Sequence, residues 1–320
     1  MSRTLLLPLS ITVALLGGPA RADAPNVAAD IAPVHSLVAR VMEGVGTPAL
    51  IVAPGASPHE YNLRPSEAAA LQNADLVFWV GEDLTPWLES AIETLAQGAT
   101  ATALLDAKGT GLLEFREDAL FEAHDHADDA GHEDHDDHGD HEGHDDHDSH
   151  DPHAWLSPTN AKAWLTLIAD QLSSADPNNA AAYVANAEAA REEMTVLSAE
   201  VEELLEPVRG GSFIVFHDAY QYFEVAFGFP ASGAISLSDA SDPSPARIAA
   251  IQGRIHAEGI NCVLSEPQFN PGIVETVLDG TSAQSGVIDP LGSALEPGPS
   301  LYPQVIRNMA QTLAECLKTR

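Results

Sequence analysis

One helical pattern divides this chain in two. Tyr183, Ala187, Ala190, Met194, Leu197, Val201 and Leu204 recur at intervals of three and four, the spacing of a single α-helical face. Asp176 and Pro177 stand ahead of it as a cap and a first-turn proline. Pro207 and Gly210 close it. The pattern predicts one helix over 176–207. At 1.5 Å per residue some 30 residues span about 45 Å, which is long for one globular domain and suits a rigid rod joining two.

On both sides of that helix, short apolar runs alternate with amphipathic stretches. Before it, 48–53 is a continuous apolar run, as in a strand buried on both faces. A short helix over 66–73 with Ser66 as cap, a strand over 74–80, a helix over 86–96 and a strand over 101–105 follow. A further helix begins at Pro158, capped by Ser157, with Trp164, Leu165, Ile168 and Leu172 inward. After the long helix come a strand over 212–216, a helix through Tyr220 and Phe223, a helix over 245–257, a strand over 260–264, a helix over 271–278, a strand over 285–288 and a closing helix over 302–317. The Ser-, Asp- and Pro-rich stretch 232–245 reads as a loop. Alternation of this kind implies α/β layers with mainly parallel sheets: one lobe over 23–175, the linking helix over 176–207, and a second lobe over 208–320.

Residues 1–22 have the form of a secretory signal peptide. Arg3 is the positive start, 5–16 the apolar run, and Ala20-Arg21-Ala22 the small-x-small cleavage site. The run falls short of the roughly 20 apolar residues that cross a bilayer. No cysteine lies near the cleavage site to carry a lipid anchor. The expected mature protein starts at about Asp23 and is soluble outside the cytoplasm, in the periplasm of a Gram-negative-type cell. Without the leader, 12 basic residues stand against 48 acidic ones. That balance argues against nucleic acid or an anionic membrane as partner and favours cationic ligands.

Between His124 and Asp151 lie nine histidines (His124, His126, His132, His135, His138, His141, His144, His147 and His150) and thirteen acidic residues, separated only by Ala, Gly and Ser. From His132 onward a histidine falls on every third position, which matches neither a helix face nor a strand face. So polar a segment cannot bury enough surface to offset the entropy of ordering it. It is therefore expected to be a disordered loop over 117–151. Neutral imidazole is the commonest metal ligand and His-rich tracts bind metal; a solvated acidic linker would need the acids but not the histidines. His153, in Asp151-Pro152-His153-Ala154-Trp155, differs in kind, since it stands where ordered structure resumes.

Three other metal-type residues stand at the ends of predicted strands: His59 just beyond the first, His217 directly after Phe216, and Asp289 directly after Ile288. Open α/β sheets bind ligands in the crevice at the carboxyl ends of their strands, so residues from both halves would converge on one cleft. Each histidine alone reads as a hydrogen-bonded structural residue. Taken together, with a His-rich tract leading into one of them, ligation is the better reading. Cys262 and Cys316 are the two cysteines. In an oxidising compartment they read as one disulfide; two free buried thiols are the alternative.

The segments PGASPHEYNLRPS, LQNADLVFWVG, DPHAWLSP, FHDAYQYFEVAFG, SEPQF and DPLG, in this order, closely resemble the ZnuA-like periplasmic zinc-binding proteins of ABC importers, over essentially the whole mature chain. The resemblance implies two α/β lobes joined by one long helix, with the metal in the interlobe cleft. It implies Zn²⁺ as cargo, His59, His153 and His217 as ligands, and a Cys262–Cys316 disulfide. Asp289 matches the carboxylate of manganese members, as a fourth ligand or behind the ligands. Some zinc members carry an acidic residue directly before the first histidine, where this chain has Pro58. The implied partner is a membrane permease whose ATPase is a separate chain, served by a monomer. Manganese members carry a carboxylate at the third position, where this chain has His217. Three imidazoles plus an oxygen suit Zn²⁺, whereas Mn²⁺ prefers a harder oxygen set. A zinc hydrolase is disfavoured because His59-Glu60-Tyr61-Asn62-Leu63 is not H-E-x-x-H. A periplasmic zinc buffer needs only the tract and leaves the two lobes unexplained.

Overall fold

The computed structural model describes residues 24–116, 121, 150–236 and 243–318. The leader expected over 1–22 and the tract histidines from His124 to His147 lie outside the described residues. The elements run β1 (Val27–Ala29), α1 (Ala32–Val41), β2 (Ala49–Leu50), α2 (Pro65–Gln72), β3 (Leu76–Trp79), α3 (Pro86–Leu95), β4 (Thr100–Ala103), α4 (Pro158–Ala175), α5 (Ala180–Leu205), β5 (Phe213–His217), α6 (Gln221–Phe227), β6 (Ala234–Ser236), α7 (Pro245–Glu258), β7 (Cys262–Ser265), α8 (Pro271–Leu278), β8 (Gln284–Val287) and α9 (Leu301–Leu317).

Two sheets result, ordered β2-β1-β3-β4 and β6-β5-β7-β8, with every strand pair parallel. The two orders are the same order, so the second lobe repeats the first. In each, the first strand of the lobe lies inside the sheet, and the chain reverses direction across it. That reversal opens a crevice at the carboxyl ends of the strands.

The inner strands β1, β3, β5 and β7 are buried on both faces because helices cover both. Side chains alternate between faces. Along β3, Leu76 and Phe78 face the shared interior while Val77 and Trp79 pack outward under α2 and α3. Along β5, Phe213 and Val215 face inward while Ile214 and Phe216 meet α7 and α8. The inward faces of both sheets belong to one continuous apolar cluster that also takes in α1, α4, α5, α6 and α9.

The long helix is present and shorter than the sequence predicts: 26 residues, about 39 Å. It is also no free-standing rod. Tyr183, Ala187, Ala190, Met194, Leu197, Val201 and Leu205 are all buried in the shared core. Asp176 does not cap it. The preceding helix runs on to Ala175, and the Asp176 carboxylate accepts from Asn179 Nδ2 at 2.6 Å and the Tyr183 hydroxyl at 3.0 Å. The first apolar position of the pattern is Tyr183, so nothing holds 176–179 in helix. Similarly, α2 starts at Pro65 rather than behind Ser66, with Glu67 accepting from the Arg64 amide at 2.7 Å. The sequence reading leaves 24–47 unassigned, yet β1 and α1 are there. A three-residue strand of Val and two alanines carries little β signal. Within the expected 232–245 loop, Ala234–Ser236 is an edge strand too short to announce itself. Cys262 and Cys316 form a disulfide that ties β7 to α9 across 54 positions, worth about 4 kcal/mol in the chain-entropy account. Among the described residues no helix is long and apolar enough to cross a membrane.

Asp30 directly follows β1 and is fully buried, accepting from the amides of Ile31 and Val80 at 2.7 Å each. Burial pushes its carboxyl up to about 7, against the lowering effect of those amides. Between about pH 4 and 7 the folded protein therefore holds a proton that the unfolded chain has released. Stability from this site is present at the acid end of the window and is lost as pH rises through 7. Denaturant unfolding should show the wild type losing stability relative to Asp30→Asn between pH 5 and pH 8. Parallel pH profiles for the two would contradict it.

Candidate metal centre

Three segments from two lobes deliver the site. The first is the loop after β2. Its Pro58 carbonyl accepts from Trp87 Nε1 at 2.7 Å, and the Tyr61 hydroxyl donates to Glu67 at 2.8 Å while accepting from the Ala53 amide. Held at both sides, this loop presents His59, whose amide donates to Ser57 Oγ at 3.2 Å.

The second is the re-entry from the His-rich tract. Order resumes earlier than the sequence predicts. His150 forms an antiparallel bridge with Glu114, and the Asp151 amide donates to the Leu113 carbonyl at 2.8 Å. His150 and Asp151, which the sequence reading places in the disordered span, are therefore ordered, because the two roots of the tract pair with each other. Asp151 is buried and accepts through Oδ1 from the amide of His153 at 3.0 Å and from its Nδ1 at 2.7 Å. A short 3-10 turn, Ala154–Leu156, follows, and Ser157 caps α4 as expected, accepting from Asn160. Trp155 anchors the turn in the other lobe, donating to the Pro290 carbonyl at 2.9 Å, while its own carbonyl accepts from the Tyr302 hydroxyl at 2.8 Å.

The third is the end of β5. His217 is the last residue of that strand, one position inside the boundary expected from the sequence. Its Nδ1 meets Glu266 Oε1 at 2.7 Å, and Glu266 follows β7. Phe269 lies against the His217 ring, 5.3 Å between centroids, and stacks on Phe216.

His59, His153 and His217 offer ligand atoms that all lie within 4.8 Å of one another. Their ring centroids are 5.3–6.4 Å apart, and His153 and His217 are only 4% and 5% exposed. A carboxylate on Nδ1 fixes that nitrogen as the protonated one and gives Nε2 the lone pair that binds metal. Asp151 does this for His153, and Glu266 for His217. The cavity they line measures ≈ 20 Å³, room for roughly one water-sized species, so a hydrated ion must shed most of its water to enter.

Asp289 does not join the group. Its two oxygens accept from the amides of Leu291, Gly292 and Ser293 and from the Ser293 hydroxyl, at 2.6–3.0 Å. It shapes the turn whose Pro290 and Leu291 wall the cavity. Behind His153 lies a buried charge group that the sequence reading did not find. Arg116 meets Glu224 at 2.7 Å and Asp218 at 3.5 Å. Burial pushes Asp151 and Asp218 up to about 7 and raises Glu224, while Arg116 pulls all three down. Tyr222 stitches the same place, accepting from the Leu113 amide and donating to the Asp151 carbonyl, both at 2.9 Å. The tract's roots are thus fastened to α6 of the other lobe. Glu266 and Asp151 carried a usable signal, since each stands within two residues of a strand end or a candidate ligand. Arg116 carried none.

The family model described as "Zinc-uptake complex component A periplasmic", ZnuA, matches residues 27–316. A high-affinity zinc uptake system protein ZnuA from Brucella abortus (strain 2308) is 46% identical, with 98% of each chain covered. The protein of the same name from Paracoccus denitrificans is 42% identical, with 99% of each covered. A crystal structure of ZnuA superposes with a TM-score of 0.73 at 23% identity, covering 92% of this chain and all of that one, which shows a shared fold. Two parallel-sheet lobes, a histidine triad between them and matches of this extent lead to one assignment: this chain belongs to the ZnuA family of periplasmic zinc-uptake components.

Proposed function

We propose that the protein captures Zn²⁺ in the periplasm and delivers it to the membrane permease of an ABC importer, with the ATPase on another chain. The observation that carries this reading is the triad His59, His153 and His217, with ligand atoms within 4.8 Å of one another and two rings oriented by buried carboxylates. An all-imidazole set suits Zn²⁺ over Mn²⁺. The relatives' names point the same way, being those of high-affinity zinc uptake proteins. That family is a transport class, not an enzyme class. The expected signal peptide over 1–22 supports export, and the chain works as a monomer. Because the neutral imidazole is the ligand, affinity should fall as pH drops below about 6.5.

The tract histidines, His124 to His150, form a separate and weaker set in this reading. With alanine as its only apolar residue, the segment gains little from burial to offset the entropy of forming a site. Their value is effective concentration: a tethered weak site offers zinc to the cleft as an intramolecular transfer. Structural neighbours include a ZnuA deletion mutant with zinc bound.

Calorimetry on a variant lacking residues 124–149 tests the division of labour. One tight zinc site is expected to remain, with the weak sites gone. Stopped-flow loading from a zinc-charged chelator is expected to slow. Loss of all tight binding on deletion would sink the cleft site, and equal loading rates would leave the tract a storage role.

A further inference from the structure

The turn after β7 carries more than Glu266. The Phe269 amide closes it on the Glu266 carbonyl at 3.3 Å, and between the two stands Gln268, which lines the histidine cavity. Both ends of its carboxamide, Nε2 and Oε1, are buried and have no hydrogen-bond partner among the described residues. Leaving such a group unsatisfied costs about 1–3 kcal/mol, and native proteins place one so only for a reason.

The other polar side chains of the cavity wall are committed. Glu266 holds His217, Trp155 Nε1 donates to Pro290, and Ser57 accepts from the His59 amide. Asp289 is spent on its own turn. Three histidines leave a tetrahedral ion one position short. The position before His59, where an acidic side chain could have reached in, is Pro58.

We infer that Gln268 serves that fourth position, its amide oxygen accepting from the single water on the bound ion. The inference rests on the triad being the zinc site. A neutral amide there adds no charge beside Glu266 and Asp151. Its hydrogen bond would form only with the ion in place, so it favours the loaded state over the empty one.

Three variants of the full chain test this: Gln268→Leu, Gln268→Glu and, as a control, His217→Ala. Zinc affinity is read by chelator competition, the visible spectrum with one equivalent of Co²⁺, and the unfolding of the metal-free protein by denaturant. Gln268→Leu is expected to weaken zinc about 10–100-fold, the range for a group that supports a metal through its ligands. It should change the Co²⁺ band shape and leave the metal-free protein as stable as before, since an unsatisfied amide is removed. Gln268→Glu, which keeps an oxygen in place, is expected to restore affinity. Unchanged affinity and spectrum in Gln268→Leu would overturn the inference while leaving the triad intact. So would a loss of affinity that tracks a loss of metal-free stability and is not rescued by Gln268→Glu. Wild-type affinity in His217→Ala would overturn the zinc-site reading and this inference with it.

Discussion

Replacing His217 by Ala is expected to weaken zinc binding by more than about 100-fold. Disrupting a partner that only supports a ligand costs up to about 100-fold, so removing a ligand itself must exceed that. The same holds for His153→Ala, because both rings are buried and each is set by its own carboxylate. His150→Ala provides the contrast. It lies three positions from His153 but pairs through its backbone with Glu114, outside the triad, so its loss should leave the tight site unchanged. Chelator competition on the three variants separates them. Equal losses for all three would mean that tight binding comes from the tract and not from the cleft.

Arg116→Met is expected to destabilise the metal-free protein by about 3–5 kcal/mol, the cost of removing one partner from a buried ion pair. The substitution leaves Glu224 and Asp218, 4% and 5% exposed, facing each other without their cation. Both acids are already raised by burial, so the loss should be greatest near pH 8 and shrink toward pH 5, where they take up protons. Arg116→Met combined with Glu224→Met should cost less than Arg116→Met alone, since removing both partners strands less charge. A change below about 0.5 kcal/mol at pH 8 would place Arg116 among ordinary surface ion pairs. The contact matters to function because Arg116 belongs to one root of the His-rich tract and Glu224 to α6, so the latch fixes where the tract meets the cleft.

Period and punctuation made most of this architecture legible. The face from Tyr183 to Leu204 marked the long helix, although Leu205 rather than Leu204 is the buried residue at its end, and Ser157-Pro158 marked the start of α4. Apolar runs punctuated by Gly and Pro marked β3, β5 and β7. The elements that escaped are those whose formation depends on neighbours. β1 is three residues long and exists because β2 and β3 flank it; β6 exists because β5 offers an edge. Helix boundaries slipped where a polar residue could serve two purposes, as Asp176 does in bonding Asn179 and Tyr183. Of the three residues named from strand ends, His59 and His217 do converge, with His153 from the helix entrance. Asp289 does not, because a carboxylate followed by a tight turn is claimed by the amides of that turn, which no spacing rule anticipates. Gln268, Glu224 and Arg116 were illegible for the same reason: their roles depend on which distant surface they face.

The central claim is that His59, His153 and His217 together hold the ion. A crystal structure of the zinc-loaded protein, with anomalous data collected on both sides of the zinc edge, tests it most directly. The account predicts a single strong anomalous peak at the triad, about 2.0–2.1 Å from one ring nitrogen of each histidine, with the Gln268 amide turned toward its remaining side. A peak bound elsewhere, or one that leaves any of the three histidines out of its coordination, would contradict it.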